Sequence, residues 1–206
     1  MEKKEDSGTG RRVGRVAGAA AVLALALAAC TAPAQQPLTP VAIPNFGKLF
    51  GTDVTGRNYS TDSIYTFGYE GPKYSDIRGG GGPIGNVGRD GRPGGMGVSC
   101  CARLPAVWQP DLRLTVHWEV LDEGNKGVVT RWYKAENVQI PKYNGKTAGD
   151  VWGIFLPNHR VRIMVPDGVD PNGGNNPDIR PPDSDPYIAQ GVRDIEFEQQ
   201  LKEENQ

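Results

Sequence analysis

The sequence predicts an all-β fold, an antiparallel sandwich or barrel of about seven short strands with long loops and a short C-terminal helix. Three observations lead there. Glycine (28) and proline (17) make up about a fifth of the 206 residues, well above the roughly 12% of ordinary usage, so the chain turns often and forms few long helices. Apolar and polar residues alternate in several short runs, which is the period of a half-buried strand. Strands and helices do not alternate in the manner of a nucleotide-binding sheet. The hydrophobic share of 37% suits one modest core, and the length suits one domain.

The elements follow in order. Residues 1–29 carry a charged stretch to Arg15, an apolar run from Val16 to Leu27 and a small-residue exit at Ala28 and Ala29, the layout of a secretory signal peptide. The run is too short for a spanning helix, which takes about 20 apolar residues. Leu27-Ala28-Ala29-Cys30 resembles the lipobox of bacterial lipoproteins, which implies cleavage before Cys30 and a lipid on its sulfur. Thr31 stands where an aspartate would retain such a protein at the inner membrane. The expected location is therefore the periplasmic side of the outer membrane of a Gram-negative cell. Residues 30–45, rich in proline, alanine and glutamine, read as a flexible tether.

The globular domain is placed at residues 46–186. Strand candidates are residues 53–59, 64–69, 98–104 and 128–135, with the strongest alternation at Leu112, Leu114, Val116, Trp118 and Val120. Val151, Trp152, Ile154, Phe155 and Leu156 pair as a hairpin with Val161, Ile163 and Val165 across the turn Pro157-Asn158-His159. Residues 71–97 and 166–186 read as long irregular loops, a length that usually marks function or disorder. In the tail, residues 187–206, the spacing of Ile188, Val192 and Ile195 predicts a short helix that frays.

The chemistry is sparse. The formal net charge is −1, falling to about −3 once the leader is removed. No basic stripe is interleaved with aromatics, which sets nucleic acid aside. Lipidation of Cys30 would leave Cys100 and Cys101 as the remaining cysteines. Three readings of this adjacent pair stand open: a vicinal disulfide, two separately buried thiols, or a bond to another chain or a redox role. His117 and His159 lie far apart with no carboxylate at ligand spacing, so no metal is expected. Arg78 and the four glycines after it lack the lysine and hydroxyl residue of a phosphate loop and read as a turn. Ser99 is not set in a nucleophile elbow. His117 is placed on the solvent face beside Glu119, and Trp108 and Trp118 are assigned to packing. No nucleophile, base and oxyanion donor come together, so the expectation is a protein that is not an enzyme and takes neither cofactor nor small-molecule substrate.

Several of these residues, in this order, resemble a family of bacterial lipoproteins known only as a domain of unknown function. They are Gly56-Arg57-Asn58-Tyr59-Ser60-Thr61-Asp62-Ser63-Ile64 with Phe67, the glycine run, Cys100-Cys101, Leu104-Pro105, Trp108-Gln109-Pro110, Leu112, and Val116-His117-Trp118. Pro141-Lys142-Tyr143 and Phe155-Leu156-Pro157-Asn158 with Val161 follow. Genes of that family often neighbour type VI secretion lipase effectors. The resemblance therefore implies an immunity lipoprotein, a stoichiometric inhibitor of a periplasmic phospholipase. Its partner-binding residues are expected at Arg89 and Arg92 in the glycine-rich loop, with residues 166–186 as a second candidate. A structural or assembly lipoprotein of the envelope or secretion machinery, and a ligand-binding module, are the alternatives.

Overall fold

The computed structural model describes residues 45–124, 127–146, 148–166 and 175–204. Cys30, the leader, nearly all of the tether and part of the 166–186 loop lie outside them.

Each of the seven expected strands forms. They are β1 (Leu49–Asn58), β2 (Ser63–Glu70), β5 (Ser99–Pro105), β6 (Leu114–Gly124), β7 (Gly127–Val138), β8 (Val151–Leu156) and β9 (Arg160–Met164). Four short strands join them: β3 (Arg78–Gly81), β4 (Gly94–Gly95), β10 (Ala189–Gln190) and β11 (Val192–Arg193). The sheet runs in the order β10-β9-β8-β1-β5-β3-β2-β6-β7-β11, with β4 paired to β1. All neighbours are antiparallel except β1 and β8, where Val54 lies beside Val151 and Asn58 beside Phe155.

The two ends of this sheet are consecutive in the chain. Ala189 and Gln190 pair with Val161 and Arg160 on β9, while Val192 and Arg193 pair with Lys134 and Tyr133 on β7. Only Gly191 stands between them, and its N–H donates to the His159 carbonyl at 2.8 Å. A five-residue strap thus bridges the edges and nearly closes the sheet into a barrel, pairing with two residues of each edge strand.

Alternation on β6 fills the interior. Leu114, Val116, Trp118 and Val120 are buried, while Thr115, His117 and Glu119 point the other way. The Trp118 ring stacks on Tyr133 (5.8 Å) and meets Phe155 edge-on (5.9 Å), and Phe155 meets Phe67 at 5.2 Å. Burying a large apolar side chain of this kind contributes about 1.5–3 kcal/mol. The continuous apolar run of β8 has a separate cause: its hairpin is covered on both faces. Val151, Phe155, Val161 and Ile163 face the main core, whereas Ile154, Leu156 and Met164 form a second cluster with Tyr59, Trp152 and Ile188. Arg162, 2% exposed, is held there by Asp185 at 3.0 Å. Arg57 adds a tie to Asp178 and lies 5.4 Å over the Trp152 ring.

Two expectations change. The glycine run is not a turn but strand β3, packed so closely on β2 that a Cβ on Gly80 would lie 2.5 Å from the Phe67 carbonyl oxygen. The tail helix, α1 (Ile195–Glu204), begins after the strap rather than at residue 187. Ile188 packs into the second cluster instead, and Val192 is an exposed edge residue. Asp194 starts the helix: its Oδ1 accepts the Phe197 N–H at 3.2 Å and its carbonyl accepts the Glu198 N–H, the arrangement of an N-cap.

Candidate functional site

Most residues that carried the family resemblance prove to be architectural. Asn58 is fully buried, accepts both the Ser60 N–H (2.9 Å) and the Ser60 hydroxyl (2.7 Å), and donates to the Asp62 carbonyl at 2.6 Å. This network fixes the β1–β2 turn, because every polar atom taken from water there finds a partner. The Leu-Pro, Trp-x-Pro and Pro-Lys-Tyr segments meet one another: the Tyr143 hydroxyl donates to the Pro105 carbonyl at 2.7 Å and Trp108 Nε1 to the Ile140 carbonyl at 3.0 Å. Burial pushes the Tyr143 phenol well above its ordinary pKa, so it stays a donor. Trp118 belongs to the core. The Ser99 hydroxyl turns toward the Cys100 carbonyl, at 3.4 Å.

Arg89 and Arg92 occupy an exposed tip between β3 and β4. The tip is tied internally, Gly88 N–H to the Arg92 carbonyl (2.8 Å), Gly91 N–H to the Gly88 carbonyl (2.9 Å) and Arg92 N–H to Asp90 Oδ1 (3.1 Å). Its base is fastened to the β1–β2 turn by the Val87 N–H on the Ser60 carbonyl and the Asn86 amide on the Thr61 carbonyl. Ile84, 1% exposed, anchors it in the core. The Arg92 guanidinium lies 3.5 Å from Asp90 and is 86% exposed. Two guanidiniums are therefore carried outward on a fastened support.

Cys100 and Cys101 are joined in a vicinal disulfide, with Cα atoms 3.2 Å apart. They sit at a bulge in β5, where Asp53 pairs with Cys100 and Thr52 with Ala102. Both are exposed, which does not fit the reading of two buried thiols.

The structure brings together a further group that spacing does not reveal. On the outer face of β2, β3, β6 and β7, beneath α1, lies an open cleft of about 550 Å³. Gly68 lies in its floor, and Glu70, Arg78, His117, Trp132 and Phe197 are among the side chains that line it. Trp132 and Phe197 meet edge-to-face at 4.8 Å. His117 is not the solvated partner of Glu119: its side chain is 25% exposed and its Nδ1 lies 3.2 Å from Oδ2 of Asp194, itself 7% exposed. Glu70 Oε1 is 4.0 Å from its Nε2. The residue that caps α1 thus also places a buried carboxylate beside the imidazole, without a hydrogen bond to its Nδ1. Glu198 fastens the helix to β7, since its Oε1 accepts the Trp132 N–H at 2.9 Å in place of the next carbonyl of the ladder. Arg193 grips the same carboxylate at 2.9 Å and holds its pKa below the usual value. His159 is elsewhere, stacked on Tyr133 at 3.9 Å. Among the described residues no His, Cys, Asp and Glu cluster could hold a metal ion, and no helix is long and apolar enough to cross a membrane.

No curated protein and no solved structure matches the chain. A family model described as "Protein of unknown function (DUF3304)" matches residues 57–163. The match takes in the tip, the double cysteine, His117 and Trp132, and ends before Asp194 and Phe197. Because it covers just over half of the sequence, the chain belongs to the DUF3304 family of proteins of unknown function.

Proposed function

We propose that this protein is an immunity lipoprotein, held by lipid on Cys30 at the periplasmic side of the outer membrane, that captures and neutralises a type VI secretion phospholipase. The observation that carries the reading is the tip at residues 88–92. A stoichiometric inhibitor blocks a partner with a patch that is rigid before contact, since a preformed surface loses less conformational entropy on docking. Arg89 and Arg92 stand on such a support, and arginine is among the residues that dominate binding energy at protein interfaces. The filled barrel interior leaves the outer surface to do the binding. A lipid on Cys30 and a proline-rich tether would station the inhibitor where a membrane-attacking enzyme must pass.

The test is to mix the protein with the lipase encoded beside its gene and measure both capture and phospholipase activity. One-to-one capture with loss of activity is expected, weakened at least about tenfold by the Arg89→Glu, Arg92→Glu double variant, equivalent to about 1.4 kcal/mol. An absence of capture and inhibition at micromolar concentrations overturns the reading in favour of a structural envelope lipoprotein. Unchanged binding by the double variant removes the tip from the interface. Lipid attachment is checked by metabolic labelling with palmitate, which Cys30→Ala should abolish.

A further inference from the structure

We infer that the cleft beneath α1 is a binding site for a neutral sugar unit, independent of the lipase-capturing tip. The first ground is Gly68. A glycine within a strand weakens it by about 0.5–1 kcal/mol relative to alanine and often marks a place where a ligand approaches the backbone. Here the fold does not require it: a Cβ at Gly68 would meet nothing closer than the Gly79 carbonyl oxygen at 3.6 Å, an ordinary contact. Its cross-strand partner Gly80 is different, because a Cβ there would lie 2.5 Å from the Phe67 carbonyl oxygen. The bare floor at Gly68 therefore keeps space open rather than relieving a clash.

The second ground is the chemistry around that floor. Trp132 and Phe197 supply an aromatic wall suited to the C–H face of a pyranose ring. Glu70 and His117 bring acceptor and donor groups to its edge, and Arg78, which also pairs with Asp76 at 3.3 Å, adds further donors, as vicinal hydroxyls require. The imidazole Nδ1 lies 3.2 Å from the buried Asp194 carboxylate without a hydrogen bond to it. The opposed charges of Glu70 and Arg78 give the cleft no net preference for an anion or a cation, and its ionisable side chains suit a polar ligand better than an acyl chain. The volume, about 550 Å³, falls in the ordinary range for small-molecule sites, roughly 300–1,000 Å³.

The experiment is isothermal titration of the full-length chain with N-acetylglucosamine and its β-1,4-linked disaccharide, alongside inorganic phosphate and decanoate. Gly68→Val fills the floor with a residue that favours strands, and Phe197→Ala removes half of the wall. We expect saccharide binding with a dissociation constant near ~0.1–1 mM, at least about tenfold weaker in Gly68→Val and reduced in Phe197→Ala. The melting temperature of Gly68→Val should be equal to or above that of the parent, which separates lost binding from lost fold. No saccharide heat at ~10 mM overturns the inference. So does tighter binding of phosphate or decanoate, or unchanged saccharide binding by Gly68→Val.

Discussion

The strap that closes the barrel and the floor of the cleft each turn on one glycine, for opposite reasons. At Gly191 a Cβ would overlap the Trp118 indole and lie 2.7 Å from the His159 carbonyl oxygen. At Gly68 the same atom would find room. A missing side chain in the strap is thus a condition of the fold, whereas in the cleft it is a condition of the empty space. Glycine content alone cannot distinguish the two cases, but the surroundings of the absent Cβ can.

The largest consequence is expected at the strap. Gly191→Val must displace the fully buried Trp118 ring or separate β10 from β9, and over-packing of this kind costs about 3 kcal/mol. Chemical denaturation should show it as a lower midpoint. Next comes the tie on the outer face of the β8–β9 hairpin. Asp185→Ala leaves the Arg162 guanidinium, 2% exposed, without its carboxylate in a setting where burial already pushes its pKa down; a loss of about 3 kcal/mol follows. On the cleft side the effects shrink. Phe197→Ala removes a half-buried ring packed on Trp132 and should destabilise by about 1–2 kcal/mol. Gly68→Val should change stability by less than about 1 kcal/mol and raise it, since a β-branched residue suits an open strand position. A strong loss at Gly68 would erase the contrast with Gly191.

The same contrast explains what the sequence could express. Leu114, Val116, Trp118 and Val120 announce β6 because one side of that strand meets the core and the other does not. β3 gives no such signal, as Gly79, Gly80 and Gly81 have no side chains to alternate. Ile188, Val192 and Ile195 suggest a helix, yet Ile188 serves the second cluster while Val192 and Ile195 are exposed. The local cue that could have placed α1 correctly is Asp194 itself, a good N-cap followed by acidic residues Glu196 and Glu198 in the first turn. The cleft was beyond reach because His117 meets Asp194 only through the strap's return to β7. Gly68, a lone glycine inside the strand SIYTFGYE, was the one local hint of it.

The smallest expected effect is a pH dependence in the helix that roofs the cleft. The Arg193 guanidinium, and to a lesser extent the Trp132 N–H, stabilise ionised Glu198 and lower its pKa from the ordinary 4.5. A carboxylate whose folded pKa lies below its unfolded value contributes stability that is complete above the unfolded value and lost as pH falls through the folded one. Glu198→Gln abolishes that contribution at every pH. The melting temperature of the variant should therefore lie below that of the parent at neutral pH, and the gap should close as both are taken below the lowered folded pKa. The Arg193 side chain is about half exposed, which keeps the gap small. The strap's pairing with β7 at Val192 and Arg193 uses backbone groups alone, so it should persist in the variant while α1 loosens from Trp132. Amide exchange that quickens at Phe197 and Glu198 but not at Val192 would place the weakness in the cleft's roof; quickening throughout would tie roof and closure into one unit.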